Sequence, residues 1–528
     1  MTLSKEAVEA VKQGYTFKDA AVQLGVLVDG DPRPDVPISI TLSMLNRHGL
    51  VAGATGTGKT KTLQLMAEQI SRAGVPVFAA DVKGDLSGIA VPGEASEKLT
   101  ARTQAIGQDW KPAGCPTEFY ALGGQGTGIP LRATITSFGP LLLSKVLGLN
   151  QTQESSLSLV FSYADSAGLP LLDLKDLTEL LKFLTSDAGK AELAEIGGLS
   201  KATAGVILRE LSGLAGQGGD AFFGEPEFDT NDLLRVTSDG QGIISMLELP
   251  NLQDRPQLFS TFLMWLLADL YHDLPEAGDL DRPKLVFFFD EAHLLFDGAS
   301  KAFTDSIEQT VRLIRSKGVG VFFVTQAPTD VPQDVLAQLG SRVQHQLRAH
   351  TPNDAKALKQ TVATYPKSDY DLGEVLTTLG IGEAIVTVLN PSGAPTPVAW
   401  TRMLAPTSLM GPMNPQWLAD GVAKSGQMAK YGEAVDRESA YEILAKKLQA
   451  GADAAAAEAA AKEQAKADAA RAKEDAARAR QEAPAPRASG RREKSVFEQV
   501  TGNTMVRQMA RTAVREITRS LFGTARRR

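Results

Sequence analysis

The chain holds a single cysteine, Cys115, in 528 residues. One thiol cannot close an internal disulfide, and it cannot build a cysteine-ligated metal cluster within one chain. Both absences fit a reducing cytoplasm, which is the expected location. Long apolar runs are also missing. The greasiest stretch, Leu258 to Tyr271, is broken by Ser260, Thr261 and Asp269 and is too short to span a bilayer. It reads as a buried helix, so no transmembrane segment is expected. Met1 to Gly14 is polar and contains acids, without the apolar centre of a signal peptide. The histidines show no metal-ligand spacing, so His293 and His345 read as hydrogen-bonding groups.

Basic charge is scarce in most of the chain. Net charge is -7, yet Pro484 to Arg528 carries eleven Lys/Arg against three Glu, leaving about -15 for the remainder. That balance excludes a protein that coats nucleic acid with its whole surface. It leaves a local basic channel or the basic tail as contact regions.

Gly53-Ala54-Thr55-Gly56-Thr57-Gly58-Lys59-Thr60 stands out against this background. It is a complete G-x-x-x-x-G-K-[ST] phosphate loop, entered by the apolar Leu50-Val51-Ala52 and left by a helical pattern from Thr60 to Arg72. Its glycines let backbone N–H groups turn inward around phosphates. Lys59 suits the β- and γ-phosphates and the Thr60 hydroxyl suits Mg²⁺, with Lys61 beside them. Far downstream, Leu285 to Phe289 is an apolar strand ending in Asp290-Glu291. Asp290 is placed to support Mg²⁺ through a water, and Glu291 to orient or deprotonate the attacking water. A third strand, Val319 to Thr325, ends at Gln326; beside the phosphate-loop strand it would aim Gln326 at the γ-phosphate. Asp81, after the second strand, is expected at the ligand-binding carboxyl edge, with Lys83 close behind. The expected cofactors are therefore ATP and Mg²⁺.

Strand–helix alternation from about 46 to 410 predicts an α/β fold with a mostly parallel sheet. Candidate strands are Gly49–Ala52, Val75–Ala80, Gly242–Leu247, Lys284–Phe289, Val319–Thr325, Val343–Leu347 and Glu383–Leu389. Residues 1–45 read as a short leader with one helix-like stretch and a strand-like run, Val36–Leu42. Leucine-rich patterns at about 140–220, such as Leu171–Leu184, predict a helical insertion. Residues 411–450 connect to an Ala-rich, mixed-charge stretch, 451–483, with no Leu, Ile or Val. That composition predicts a solvated helical arm of up to about 50 Å at 1.5 Å per residue. Residues 484–528 predict a basic amphipathic helix with Val506, Ala510, Val514, Ile517 and Leu521 on one side and Arg507, Arg511, Arg515 and Arg519 on another.

Taken together, the stretches Phe222 to Pro226, Phe287 to Phe296, Val311 to Gln326 and Arg342 to His345 resemble the HerA/FtsK branch of RecA-like motor ATPases, in particular the YjgR-type HerA-like proteins. The resemblance implies a homo-hexameric ring with ATP between subunits and double-stranded DNA as the translocated polymer. It also implies roles for two arginines. Arg47, in an Arg-His pair ahead of the first strand, resembles an arginine finger acting on a neighbour's ATP. Arg315 resembles a second arginine near the γ-phosphate. About 45 residues precede the loop, too few for the β-barrel that opens HerA helicases, so a nuclease-partnered role is not implied. The alternative is an assembly ATPase whose substrate is protein, met through the C-terminal arm.

Overall fold

The computed structural model describes residues 2–195, 197–249, 256–278, 280–297 and 301–481. Its centre is one sheet of twelve strands. In chain order these are β1 (Ala21–Asp29), β2 (Asp31–Thr41), β3 (Gly49–Ala52), β4 (Val77–Asp81), β5 (Thr117–Leu122), β6 (Ile129–Leu131), β7 (Ile244–Glu248), β8 (Leu285–Phe289), β9 (Val319–Thr325), β10 (Ser341–Gln344), β11 (Glu383–Thr387) and β12 (Ala399–Met403). Across the sheet the order is β2-β1-β12-β11-β10-β3-β9-β8-β4-β7-β5-β6. Every pairing from β10 to β6 is parallel. Every pairing from β10 back to β2 is antiparallel.

Composition explains the division. The central parallel strands are covered on both faces and are largely apolar, and all of β8 and β9 is buried. Alternate residues serve opposite faces. Phe287 and Phe289 stack at 5.6 Å between ring centroids and meet Phe78 of β4. Phe288 meets Phe322 at 5.3 Å on the other side. The helix Pro256–Asp273 covers the first of these faces, with Phe262 against Phe78. This is the apolar stretch expected to be a buried helix. Among the described residues no helix is long and apolar enough to cross a membrane.

Each of the seven candidate strands corresponds to an observed strand, with shifts of one to three residues at several ends. The antiparallel part was less legible. The run expected at Val36–Leu42 is the end of the longer β2, which pairs with β1 in a hairpin, so residues 21–41 are part of the sheet. Strands β1, β5, β6 and β12 were not expected. β12 alternates buried and half-buried positions rather than forming a continuous apolar run. β6 is three residues long and carries Pro130, which suits the outer edge it occupies.

Between β6 and β7 the chain is helical. Its helices include Ile135–Val146, Gln151–Ser166, Leu174–Thr185 and Lys201–Leu214. Asp173 opens the third, accepting from the N–H groups of Lys175 and Asp176, and Leu177, Leu180, Leu181 and Leu184 are its buried stripe.

The described residues up to Gln449 form one compact unit, and those from Ala450 to Gln481 belong to a second. The helix Ala440–Gln481 begins in the first, where Ala440 and Leu444 are buried. In the second, every described side chain from Ala450 to Arg478 is exposed. Alanine propensity and i,i+4 pairs such as Glu458–Lys462 favour the helix there. The basic stretch 484–528 lies outside the described residues.

Candidate active site

The phosphate loop leaves the carboxyl end of β3 and is tied to both neighbouring strands. Gly53 N–H donates to Thr325 O at 3.2 Å, and Ala54 N–H donates to Gln346 O at 2.8 Å. Gly58 precedes the helix Lys59–Arg72 at φ 118, a conformation that favours glycine. A side chain at Gly53 would meet His345 Cβ at 2.5 Å. The Thr57 hydroxyl donates to Ala54 O at 2.7 Å, which closes the loop on itself. Thr55 and Gly56 are exposed at its tip, and Thr60 is half-buried at the start of the helix.

Lys59 is buried, and its Nζ donates to Ala54 O at 3.3 Å. Burial pulls its pKa below the ordinary value, against the opposing charges of Glu291 and Asp290. Lys61 donates to Gln64 Oε1 at 3.3 Å and is likewise lowered by burial, with Asp85 and Asp81 opposing.

Two strands over from β3, β8 delivers Asp290 and Glu291 to the same edge. Asp290 is 1% exposed. Its Oδ1 accepts the N–H of Glu291 at 2.9 Å, while Oδ2 has no hydrogen-bond partner among the described residues. Burial, then the charge of Glu291, pushes its carboxyl up to about 7. A buried carboxylate oxygen without a partner, next to a phosphate loop, fits a hard divalent cation such as Mg²⁺. Glu291 has φ 47, the left-handed region that non-glycine residues rarely adopt. Its Oε1 accepts from Lys83 Nζ, and His293 Nδ1 lies 3.2 Å from Oε2. Burial pushes its pKa up, but the bond and charge of Lys83 outweigh that and leave it low.

β9 runs between β3 and β8, with Thr325 in register with Ala52. Gln326 is therefore beside the phosphate loop. Asp330 accepts from Thr325 Oγ1 and Ala327 N–H, both at 2.8 Å, and so fixes the turn that carries Gln326. Gln326 lines a cavity of about 740 Å³ together with Ala54, Thr55, His293 and Arg348.

Asp81 reaches the expected edge but is wholly buried. Both its oxygens accept backbone N–H groups, from Lys83 and Gly84 at one and Leu86 at the other. It shapes the turn that presents Lys83. His345 is a hydrogen-bonding group, as expected: Nδ1 is 2.8 Å from Glu383 O and Nε2 is 2.9 Å from Thr62 Oγ1. Sequence reasoning missed Arg348, whose guanidinium donates to Thr55 O at 3.2 Å. Nothing in Gln346-Leu347-Arg348-Ala349 marks it; only the return of the chain past the loop reveals it.

The arginines stand elsewhere. Arg47 precedes β3 and Arg315 precedes β9, so both lie at the amino edge of the parallel sheet. At about 3.3 Å per residue, a seven-residue strand separates Arg315 from Gln326 by roughly 20 Å. Neither arginine is near the phosphate loop of its own chain. They flank the buried His48, whose Nδ1 accepts Val321 N–H at 3.0 Å. Burial, then the charges of Arg315 and Arg47, push this imidazole down to about 4.

A phosphate loop on β3, an acidic strand end on β8 and a polar strand end on β9, all at one edge of a parallel sheet, define a P-loop ATPase of RecA-like fold. The sequence profile of the family described as helicase HerA-like, C-terminal, matches residues 27–528, and the chain belongs to that family. No protein of curated function shows a significant sequence match. Solved structures of the plasmid coupling protein TrwB share the fold. The plasmid coupling protein TrwB in complex with a non-hydrolysable ATP analogue is 16% identical, with 78% of this chain and 95% of that chain covered and a TM-score of 0.51. TrwB in complex with ADP and Mg²⁺ is also 16% identical, covering 74% and 90%, with a TM-score of 0.51. VirB4 of Thermoanaerobacter pseudethanolicus is 15% identical, covering 74% and 98%, with a TM-score of 0.47.

Proposed function

We propose that this chain hydrolyses ATP with Mg²⁺ in a homo-hexameric ring and uses the energy to move double-stranded DNA. Loop N–H groups and Lys59 bind the phosphates, and Thr60 and Asp290 would hold the metal. Mg²⁺, when bound, neutralises charge on the transferring phosphate. Glu291 orients the attacking water, and Gln326 reads the terminal phosphate from the adjacent strand end. Arg47 and Arg315 act on the site of a neighbouring subunit, which makes turnover depend on assembly.

The observation that carries the reading is the separation of the two edges. A phosphate site at one and paired arginines at the other suit subunits packed edge to edge, each completing the next. The TrwB complexes with ADP and Mg²⁺ and with an ATP analogue place the same ligands on the same fold. A second reading, an assembly ATPase acting on protein, draws support from the exposed helix after Ala450 and from the acidic balance outside the tail.

The test is ATP hydrolysis across a salt series, with and without long duplex DNA, with particle mass measured in parallel. A six-subunit mass and stimulation by DNA that fades as salt rises support the translocase. Six-subunit particles whose hydrolysis ignores DNA at every salt concentration support the protein-directed reading.

A further inference from the structure

Lys83 lies outside the residues to which the motifs give a role. It follows β4, in the turn held by Asp81 through the N–H groups of Lys83, Gly84 and Leu86. Gly84, at φ 73, closes that turn. β4 and β8 are paired neighbours, and Lys83 reaches across to donate to Glu291 Oε1. The two partners differ in freedom. The Glu291 side chain is 5% exposed and that of Lys83 is 39% exposed. The carboxylate is confined, and the ammonium on its flexible stem is the member able to move. Glu291 also sits on a left-handed backbone, an arrangement that persists only where the surroundings hold it. Lys83 and Lys59 stand at the same carboxyl edge, close enough for their charges to oppose each other.

We infer that Lys83 is a positioning residue that holds Glu291 back until the terminal phosphate of ATP draws the ammonium away. The inference rests on the reading of Glu291 as the group that orients water. A carboxylate oxygen already accepting from an ammonium is a poorer partner for that water. The terminal phosphate of a triphosphate offers the ammonium more negative charge than ADP does. An ammonium has three donors and no fixed fork, so it transfers between anions readily. Triphosphate binding and release of Glu291 are then coupled, and the coupling is reciprocal. Freeing Lys83 by neutralising Glu291 must tighten triphosphate binding.

The experiment is equilibrium binding of a non-hydrolysable ATP analogue and of ADP, each with Mg²⁺, to the full-length protein, alongside turnover. The proteins are wild type, Lys83→Met, Lys83→Arg, Glu291→Gln and the Lys83→Met/Glu291→Gln double variant. Lys83→Met should cut the preference for the analogue over ADP by about tenfold, the scale of one charge-assisted contact. Lys83→Arg should keep part of it, which a loss of fold would not explain. Glu291→Gln should tighten analogue binding several-fold with Lys83 present and much less in the double variant, by the logic of a double-mutant cycle. A wild-type preference in Lys83→Met, or equal tightening in both backgrounds, overturns the inference while leaving Glu291 in its role. Full turnover by Glu291→Gln overturns the inference together with the role on which it rests.

Discussion

The two edges of the parallel sheet are built for opposite charge. The carboxyl edge gathers Asp81, Asp290 and Glu291 around Lys59, Lys61 and Lys83, and one carboxylate oxygen of Asp290 has no partner among the described residues. The amino edge gathers Arg47 and Arg315 about a histidine that burial keeps neutral. Strands of four and seven residues separate them. On the proposed reading, the first edge supplies the phosphate- and metal-binding groups of phosphoryl transfer, and Arg47 and Arg315 add further positive charge for its transition state. The second holds that charge out of its own reach. On that reading, this chain carries the parts of one complete site at opposite edges.

The largest break in this comparison comes from the amino edge. Arg47→Ala or Arg315→Ala should lower turnover about a thousandfold, the usual worth of an arginine supplied in trans, and leave analogue binding within a few-fold of wild type. Single-turnover hydrolysis and equilibrium binding check both halves. Breaking the carboxyl edge comes next. Glu291→Gln should cost about a hundredfold or more in hydrolysis while nucleotide still binds, measured as released inorganic phosphate.

A smaller effect sharpens the support behind the loop. His345→Ala removes partners of Thr62 and Glu383 O and should destabilise by about 1–3 kcal/mol, read in a denaturant melt. The smallest prediction concerns Glu248, at the end of β7 beside Asp81. Burial, then the charge of Asp81, pushes its pKa from an ordinary 4.5 up to about 8. The folded protein holds this proton more tightly than the unfolded chain. The stabilisation is full below the ordinary value and is lost as pH rises through about 8. Glu248→Gln, neutral at every pH, should therefore melt several degrees above wild type at high pH and with it at low pH, in paired thermal scans.

Legibility in the sequence followed burial in part. Strands β3, β4, β8 and β9 wrote largely apolar runs, β7, β10 and β11 were visible despite polar positions, and the phosphate loop and Asp290-Glu291 came with their strand ends. The antiparallel strand β1 went unread although Leu24 to Val28 is a buried apolar run, and β12 alternates buried and half-buried positions. Side chains that enter the site through topology were hidden as well. Arg348 arrives from the segment after β10, and Lys83 was visible but had no partner until β4 and β8 were seen to be neighbours. The positions of Arg47 and Arg315 relative to the loop depended on strand direction, which parallel pairing alone reveals.

In the proposed ring those arginines act between subunits, and mixing two inactive proteins tests this directly. Lys59→Ala loses its own phosphate site but keeps the arginines; Arg315→Ala loses an arginine but keeps its phosphate site. Combined under conditions that exchange subunits, they should recover a clear fraction of wild-type hydrolysis, because some interfaces then pair an intact phosphate site with an intact arginine. Subunit exchange shown by mass, with hydrolysis no greater than the sum of the two separate proteins, would contradict it.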